Sequence, residues 1–481
     1  MTHANQKKPI NLLEALIPII FLILLLSFNV LKIFGEDATS GPNQFALLLA
    51  GAVAAVFGFF HKFSYQEMLD KVSKNIESTS GAILILLFVG ALSGTWLISG
   101  VIPTMIYYGL QLLNPTIFLA STLLISAFVS LILGSSWSTT ATVGIAFIGI
   151  GKALGFPPEM VAGAVISGAY FGDKMSPLSD TTNLASAVAN VDLYKHIRYM
   201  MYTTIPTFTI TLIFFIILGF MYSRGQIQDI STLLHDIDKV FYINPLLLLV
   251  PGIVIFLIIK KIPPLVALLV GVLLGGFAAL IFQPELLALH IKKGENFYLG
   301  AYKSITQAIV SDSSVQTDNP LLNELFSSGG MQGMLSTIWL IISAMFFGGV
   351  MEAIGALKKI SDTLLHLFKS TFGLFASTDL TCIAFNVTAS DQYLAIVVPG
   401  KMYKQAFDDA GLAPENLSRT LEDSGTVTSV LVPWNTGGAY NAKVLGVATE
   451  SYIVYAMFNW LSPIMTLIFA YFRIKIKKKL A

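Results

Sequence analysis

The chain is poor in charge and nearly free of cysteine. Only 12% of its 481 residues are Asp, Glu, Lys or Arg, against about 25% in an ordinary soluble domain. A single cysteine, Cys382, excludes an intrachain disulfide and any cysteine-rich metal centre. No H-E-x-x-H motif and no nucleotide-binding loop is present, so metal-hydrolase and nucleotide chemistry are not expected. The expectation is a chain that is not an enzyme, carries no cofactor and has no nucleic-acid partner.

Apolar sequence fills the rest. Hydrophobic residues make up 55% of the chain, and apolar segments recur from 10–34 to 452–472, many near span length. About 20 apolar residues cross a bilayer as a helix, which predicts an all-α polytopic membrane protein with lipid as its surroundings. The first run, 10–34, is too long for a signal-peptide core and reads as an uncleaved span. Others, notably 117–151, 371–400 and 418–450, are interrupted by Gly, Ser and Thr.

Basic residues cluster beside spans at Lys7/Lys8, His61/Lys62, Lys260/Lys261, Lys358/Lys359 and Arg473 to Lys479. The positive-inside rule assigns these to the cytoplasm. The loop 35–43 and the acidic segment 223–243 then face outside. Each half crosses an odd number of times, so two similar halves must be inverted: 1–222, an external linker at 223–243, and 244–481. A shift of 255 residues supports a repeat. It superposes Gly94 on Gly349, Gly100 on Gly355, Ser135 on Ser390, Asp180 on Asn435 and Thr181 on Thr436. The amphipathic segments 62–80 and 296–330 precede the polar blocks and read as lying along the membrane surface.

Four polar blocks interrupt the apolar background. Gly134 to Thr142, with Ser135 and Ser136, and Asn386 to Asp391, with Thr388 and Ser390, read as broken or re-entrant segments. The block 172–183 holds Asp173, Ser176, Pro177, Asp180, Thr181, Thr182 and Asn183; its mate 422–438 holds Glu422, Asp423, Pro433, Asn435 and Thr436. Pro177 prevents continuous helix hydrogen bonding. Carboxylates and hydroxyls at bilayer depth are costly unless they bind something. Oxygen ligands suit a hard cation such as Na⁺, and desolvation favours the neutral form of a carboxyl. Protons and Na⁺ would therefore compete for Asp173 and Asp180. The bland reading pairs Lys174 with Asp173 and Arg419 with Glu422. Glu352 reads either as an interfacial acid beside Lys358 or as a cavity acid. Lys443 would be the cation for an anionic cargo, or a snorkelling lysine.

The segment Gly163 to Ala185, containing Gly172-Asp173-Lys174-Met175-Ser176-Pro177-Leu178-Ser179-Asp180-Thr181-Thr182-Asn183, with Gly134-Ser-Ser-Trp-Ser-Thr139 before it, closely resembles the NhaC-type sodium/proton antiporters. The resemblance implies a bacterial plasma-membrane exchanger with paired hairpins and unwound helices around a midplane site, and a transport domain moving against a scaffold. It carries onto Asp173, Ser176, Asp180, Thr181, Thr182 and Asn183. Some relatives are thought to exchange organic acids, so a small carboxylate is the alternative cargo. A cation channel is the remote one. A homodimer is the expected assembly where a moving domain needs a fixed scaffold.

Overall fold

The computed structural model describes residues 8–222, 230–289, 291, 296–367 and 370–479. Among these the regular structure is helical apart from a two-residue antiparallel pairing, Ser313–Ser314 with Ser327–Ser328, and a single antiparallel bridge between Leu412 and Lys478. Seven helices are long and apolar enough to cross a membrane. An eighth span results if Ile230–Val240 and Pro245–Ile259, bent by 89°, are taken as one. The outermost helices turn Leu13, Leu24, Ile213, Phe220, Phe277 and Ile281 outward, as a lipid-facing surface requires. Of the acidic segment 223–243, residues 223–229 lie outside the described residues. Its helix Ile230–Val240 meets the 296–330 segment through Lys239 and Asp318, 3.7 Å apart.

One expectation is corrected here. Segment 62–80 is no separate surface helix but the first half of Tyr65–Ile98, a single 34-residue helix. The Ser64/Glu67 capping box starts it, and no proline follows before Ile98 to stop it. Ser78 and Thr79 thereby line the central cavity, Thr79 buried and Ser78 exposed.

The polar blocks become two hairpin tips and two broken helices. Helix Phe118–Leu133 ends at Gly134, whose φ of +67° suits glycine. Ser135 then caps a new helix by accepting from the Ser138 N–H at 3.1 Å. In the second half, Thr371–Thr388 ends before Ser390 at φ +59°. Asp391 accepts from the Leu394 N–H at 2.9 Å as Leu394–Asp409 begins. Pro158–Met175 breaks at Ser176 to Ser179 and resumes as Asp180–Ala189. Pro414–Leu421 loosens into a π-turn at Glu422–Thr426 and resumes as Thr436–Leu445.

Element starts recur at a fixed spacing. Val101 and Ala356 open twelve-residue helices 255 residues apart, after Gly100 and Gly355, both at φ +78°. Past the tips the spacing becomes 256, with Pro158 against Pro414 and Asp180 against Thr436. Asp180–Ala189 and Thr436–Leu445 are each ten residues long and each ends on a left-handed residue, Asn190 or Gly446. On this register Asn435 answers to Ser179, not to Asp180, and both residues cap a helix.

Two glycines set the approach of Pro158–Met175 to Phe118–Leu133. A Cβ at Gly168 would stand 2.3 Å from the Leu123 carbonyl oxygen, and one at Gly172 would stand 2.3 Å from that of Ala127. Backbone cannot yield as a flexible side chain can, so close helix contact here depends on glycine. Gly172→Val is expected to force the helices apart, pulling Asp173 from the hairpin tip. Exchange in proteoliposomes should fall to background while the variant still inserts; near-normal flux would contradict this packing.

Candidate ion-binding cavity

The broken helix and the two tips meet at a cavity of about 210 Å³. Asp173, Asp180 and Asp391 line it, with hydroxyls from Ser135, Ser136, Thr181 and Thr436. No Lys, Arg or His is among the lining residues.

Each acid is held at the start of a helix. Asp173 is buried at the C-terminal end of Pro158–Met175. Its Oδ2 accepts from the Ser136 N–H at 3.0 Å and the Ser136 hydroxyl at 2.7 Å, capping the helix that starts at the first tip. Asp180 is the first residue of Asp180–Ala189, where the positive end of the helix favours a negative charge. Unlike Asp173 it is exposed. Asp391 is buried and caps Leu394–Asp409. Thr436 donates its N–H to the Ser390 carbonyl at 3.0 Å, tying the second broken helix to the second tip.

Aromatic side chains close the wall. Trp137 stacks on Tyr440 with centroids 4.3 Å apart, and the Tyr440 hydroxyl donates to the Trp137 carbonyl at 3.0 Å. Trp137 comes from the first tip and Tyr440 from the second broken helix, so this contact joins the halves. The lining residues Tyr393 and Tyr440 were not expected from sequence, because aromatic residues in an apolar chain carry no signal of their own, and Gln392 lies just past the block 386–391.

Other expected site residues hydrogen-bond mainly to the backbone around the break and the second tip. Asn183 donates to the Pro177 and Ser179 carbonyls at 3.0 and 2.7 Å, and Thr182 to the Lys174 carbonyl at 3.0 Å. The Ser176 hydroxyl accepts from the Leu178 N–H at 3.2 Å. Together these bonds fold the break. Asn386 donates to the Gly425 carbonyl at 2.7 Å, and Asn435 donates back to the Asn386 carbonyl at 3.0 Å. Thr388 bonds the Ala384 carbonyl in its own helix at 2.6 Å. Ser390 is fully buried and its hydroxyl has no partner among the described residues.

Lys174, Asp423, Glu352 and Lys443 all lie off the cavity lining. Lys174 does not neutralise Asp173. It pairs with Asp423, both side chains being wholly buried, and Asp423 also accepts from Thr203 at 2.9 Å and from Thr466. Asp423 is thus a structural ion-pair partner away from the cavity lining. Glu352 pairs with Lys71 at 2.6 Å and is off the cavity. Lys443 sits half-buried in the last turn of Thr436–Leu445 and is likewise off the cavity. The proposed Arg419–Glu422 pair is also absent. Arg419 lies over the Tyr199 ring at 4.7 Å, since the change to π winding at Glu422 breaks the register that would face the two side chains.

Helices that break around an acid-lined cavity in a multi-pass helical protein are the plan of secondary transporters. Comparison with known proteins specifies the kind. The model of the Na⁺/H⁺ antiporter family matches residues 168–474, and the chain belongs to that family. It is similar to the Na⁺/H⁺ antiporter NhaC of Alkalihalophilus pseudofirmus, 36% identical over 99% of this chain and 98% of the relative. The malate-2H⁺/Na⁺-lactate antiporter of Bacillus subtilis is 37% identical over 94% of this chain and 92% of its own length. The arginine/ornithine antiporter ArcD of Halobacterium salinarum is 34% identical over 97% and 93%.

Proposed function

We propose that this protein exchanges Na⁺ for H⁺ across the bacterial plasma membrane, with Asp180 and Asp173 as the carboxylates for which the two ions compete. The observation that carries the assignment of residues is the cavity itself: three carboxylates line it and no cationic side chain does. Such a lining favours a small cation and disfavours an anion. Hydroxyls of Ser135 and Thr436 supply the neutral oxygens a dehydrated Na⁺ needs. A site that must always hold Na⁺ or H⁺ rarely crosses empty, because an uncompensated charge at the midplane is expensive. Coupling follows from that restriction.

The recurrence of element starts at 255 and 256 residues supports two repeats, 1–222 and 244–481, each giving one tip and one broken helix. Inverted insertion of the halves and a homodimer with a fixed scaffold are parts of the same proposal.

Carboxylate exchange is the competing reading, supported by the similarity to the malate/lactate antiporter. It requires a cation near the bound acid, and the cavity lining offers none. Purified protein in liposomes separates the readings. With Na⁺ as the only added solute, an imposed pH gradient should collapse and Na⁺ uptake should saturate. A gradient that persists until malate or lactate is supplied would favour the organic-acid exchanger, and Na⁺ conduction without proton movement would indicate a channel.

A further inference from the structure

Behind the cavity lies a second buried group of charges. Lys174 and Arg419 are its cations; Asp379, Glu422 and Asp423 are its acids, and all five are at most 1% exposed. Lys174 closes on Asp423. Asp379 accepts from the Ser424 hydroxyl, and Arg419 and Lys174 both act on it. Two cations against three carboxylates leave one negative charge unmatched. Glu422 is the acid of the three with neither oxygen at bonding geometry to a donor among the described residues, whereas Asp423 is engaged by Lys174 and one of the two Asp379 oxygens by Ser424.

The surroundings of Glu422 offer oxygen, not countercharge. The hydroxyls of Thr426 and Thr181 lie near it, along with the Lys174 ammonium already engaged by Asp423 and the Asp173 carboxylate. The Thr426 hydroxyl is itself buried without a partner. His196, on Leu193–Tyr222, bonds the Ser418 hydroxyl through Nδ1 at 2.8 Å. Charging it would set an imidazolium beside the Lys174 ammonium, within whose field it lies. Of the other elements packed on the π-turn, Asp180–Ala189 contributes Asp180, Met457–Tyr471 contributes the Ser462 and Thr466 hydroxyls, and Leu394–Asp409 keeps its charged residues Lys401, Lys404, Asp408 and Asp409 exposed. Thr181 lines the cavity on one side and neighbours Glu422 on the other. With two neutral hydroxyls and only a Lys174 ammonium already shared with Asp423 beside it, an ionised, fully buried Glu422 is costly, and a bound proton or Na⁺ relieves that cost.

We propose that Glu422 is a second ion-carrying carboxylate of the exchanger, taking a proton or Na⁺ behind the Asp173/Asp180 cavity. This rests on the Na⁺/H⁺ exchange reading and adds one ion to each cycle. The π-turn at Glu422–Thr426 fits such a role, because π winding in a helix is frequent at functional sites.

The test is a count of ions on the full-length chain in detergent. Na⁺ titration by calorimetry, in two buffers of different ionisation enthalpy, gives Na⁺ bound and protons released per chain. Glu422→Gln should release one proton fewer if the group carries H⁺, or bind one Na⁺ fewer if it carries Na⁺. Glu422→Asp keeps the acid, and should keep both counts with a shifted half-saturation. Unchanged counts in Glu422→Gln overturn the proposal. Should that variant not fold, an unshifted half-saturation in Glu422→Asp overturns it instead. Wild-type protein that binds no Na⁺ would defeat the exchange reading itself. Normal wild-type counts that Glu422→Gln leaves intact defeat only the assignment of Glu422.

Discussion

Asp180→Asn is expected to reduce Na⁺-driven proton flux in proteoliposomes to the level of protein-free vesicles. The substitution removes one ionisable oxygen and little else. Asp180 makes no salt bridge among the described residues and is exposed at the first position of Asp180–Ala189, whose cap is provided by Ser179 through the Thr182 N–H. Loss of a negative charge from a first helical turn costs roughly 0.3–1 kcal/mol, too little to unfold a polytopic protein. Loss of transport with a normal melting profile would therefore report on ion binding rather than folding. An amide keeps a coordinating oxygen but cannot take up a proton at working pH, so residual Na⁺ binding without exchange is also expected. Wild-type proton flux in this variant would remove Asp180 from the site.

The location of the candidate cavity was legible in the sequence because polarity is expensive inside an apolar chain. Hydroxyls, carboxylates and Pro177 between apolar runs marked 134–142, 172–183, 386–391 and 422–438, and the cavity draws lining residues from all four of those blocks. Partner choice was not legible. Lys174 follows Asp173 directly, yet adjacent residues on a helix point about 100° apart and do not face each other. Asp173 therefore reaches Ser136 on one side while Lys174 reaches Asp423 and Ser462 on the other. The shift of 255 was right for Val101 and Ala356 but one residue short beyond the tips, which turned a helix-capping Asn435 into an apparent counterpart of Asp180. Asp379 gave no warning, since a single acid after Ser377 and Thr378 hardly disturbs the apolar run 371–387.

A buried ion pair beside the transport cavity does a different job from the cavity acids. The four cavity-facing helix starts at Ser136, Asp180, Leu394 and Thr436 bring positive dipole ends together. Asp173, Asp180, Asp391 and Asn435 answer them with oxygen. Lys174 and Asp423 instead link Pro158–Met175, the π-turn at Glu422–Thr426, Leu193–Tyr222 and Met457–Tyr471. They join the first broken helix to the second outside the cavity lining.

Lys174→Met should therefore be the most damaging single change to stability. It leaves Asp423 wholly buried without its cation, and breaking a buried pair from one side costs about 3–5 kcal/mol. The variant should be recovered mostly as aggregate from detergent, with a sharply lower melting temperature in what remains. Removing both charges tests the cause. In Lys174→Met/Asp423→Leu no charge is left unpaired, and replacement of a buried pair by apolar side chains is often neutral or better. Recovery should nonetheless be partial, because Thr466 and Ser462 lose the carboxylate that accepts from them, and a buried unsatisfied hydroxyl costs roughly 1–3 kcal/mol. If the single variant melts with the wild type, the Lys174–Asp423 contact is not the clamp between the two broken helices. If the double variant is no better than the single, the damage lies in lost packing around the lysine stem rather than in stranded charge.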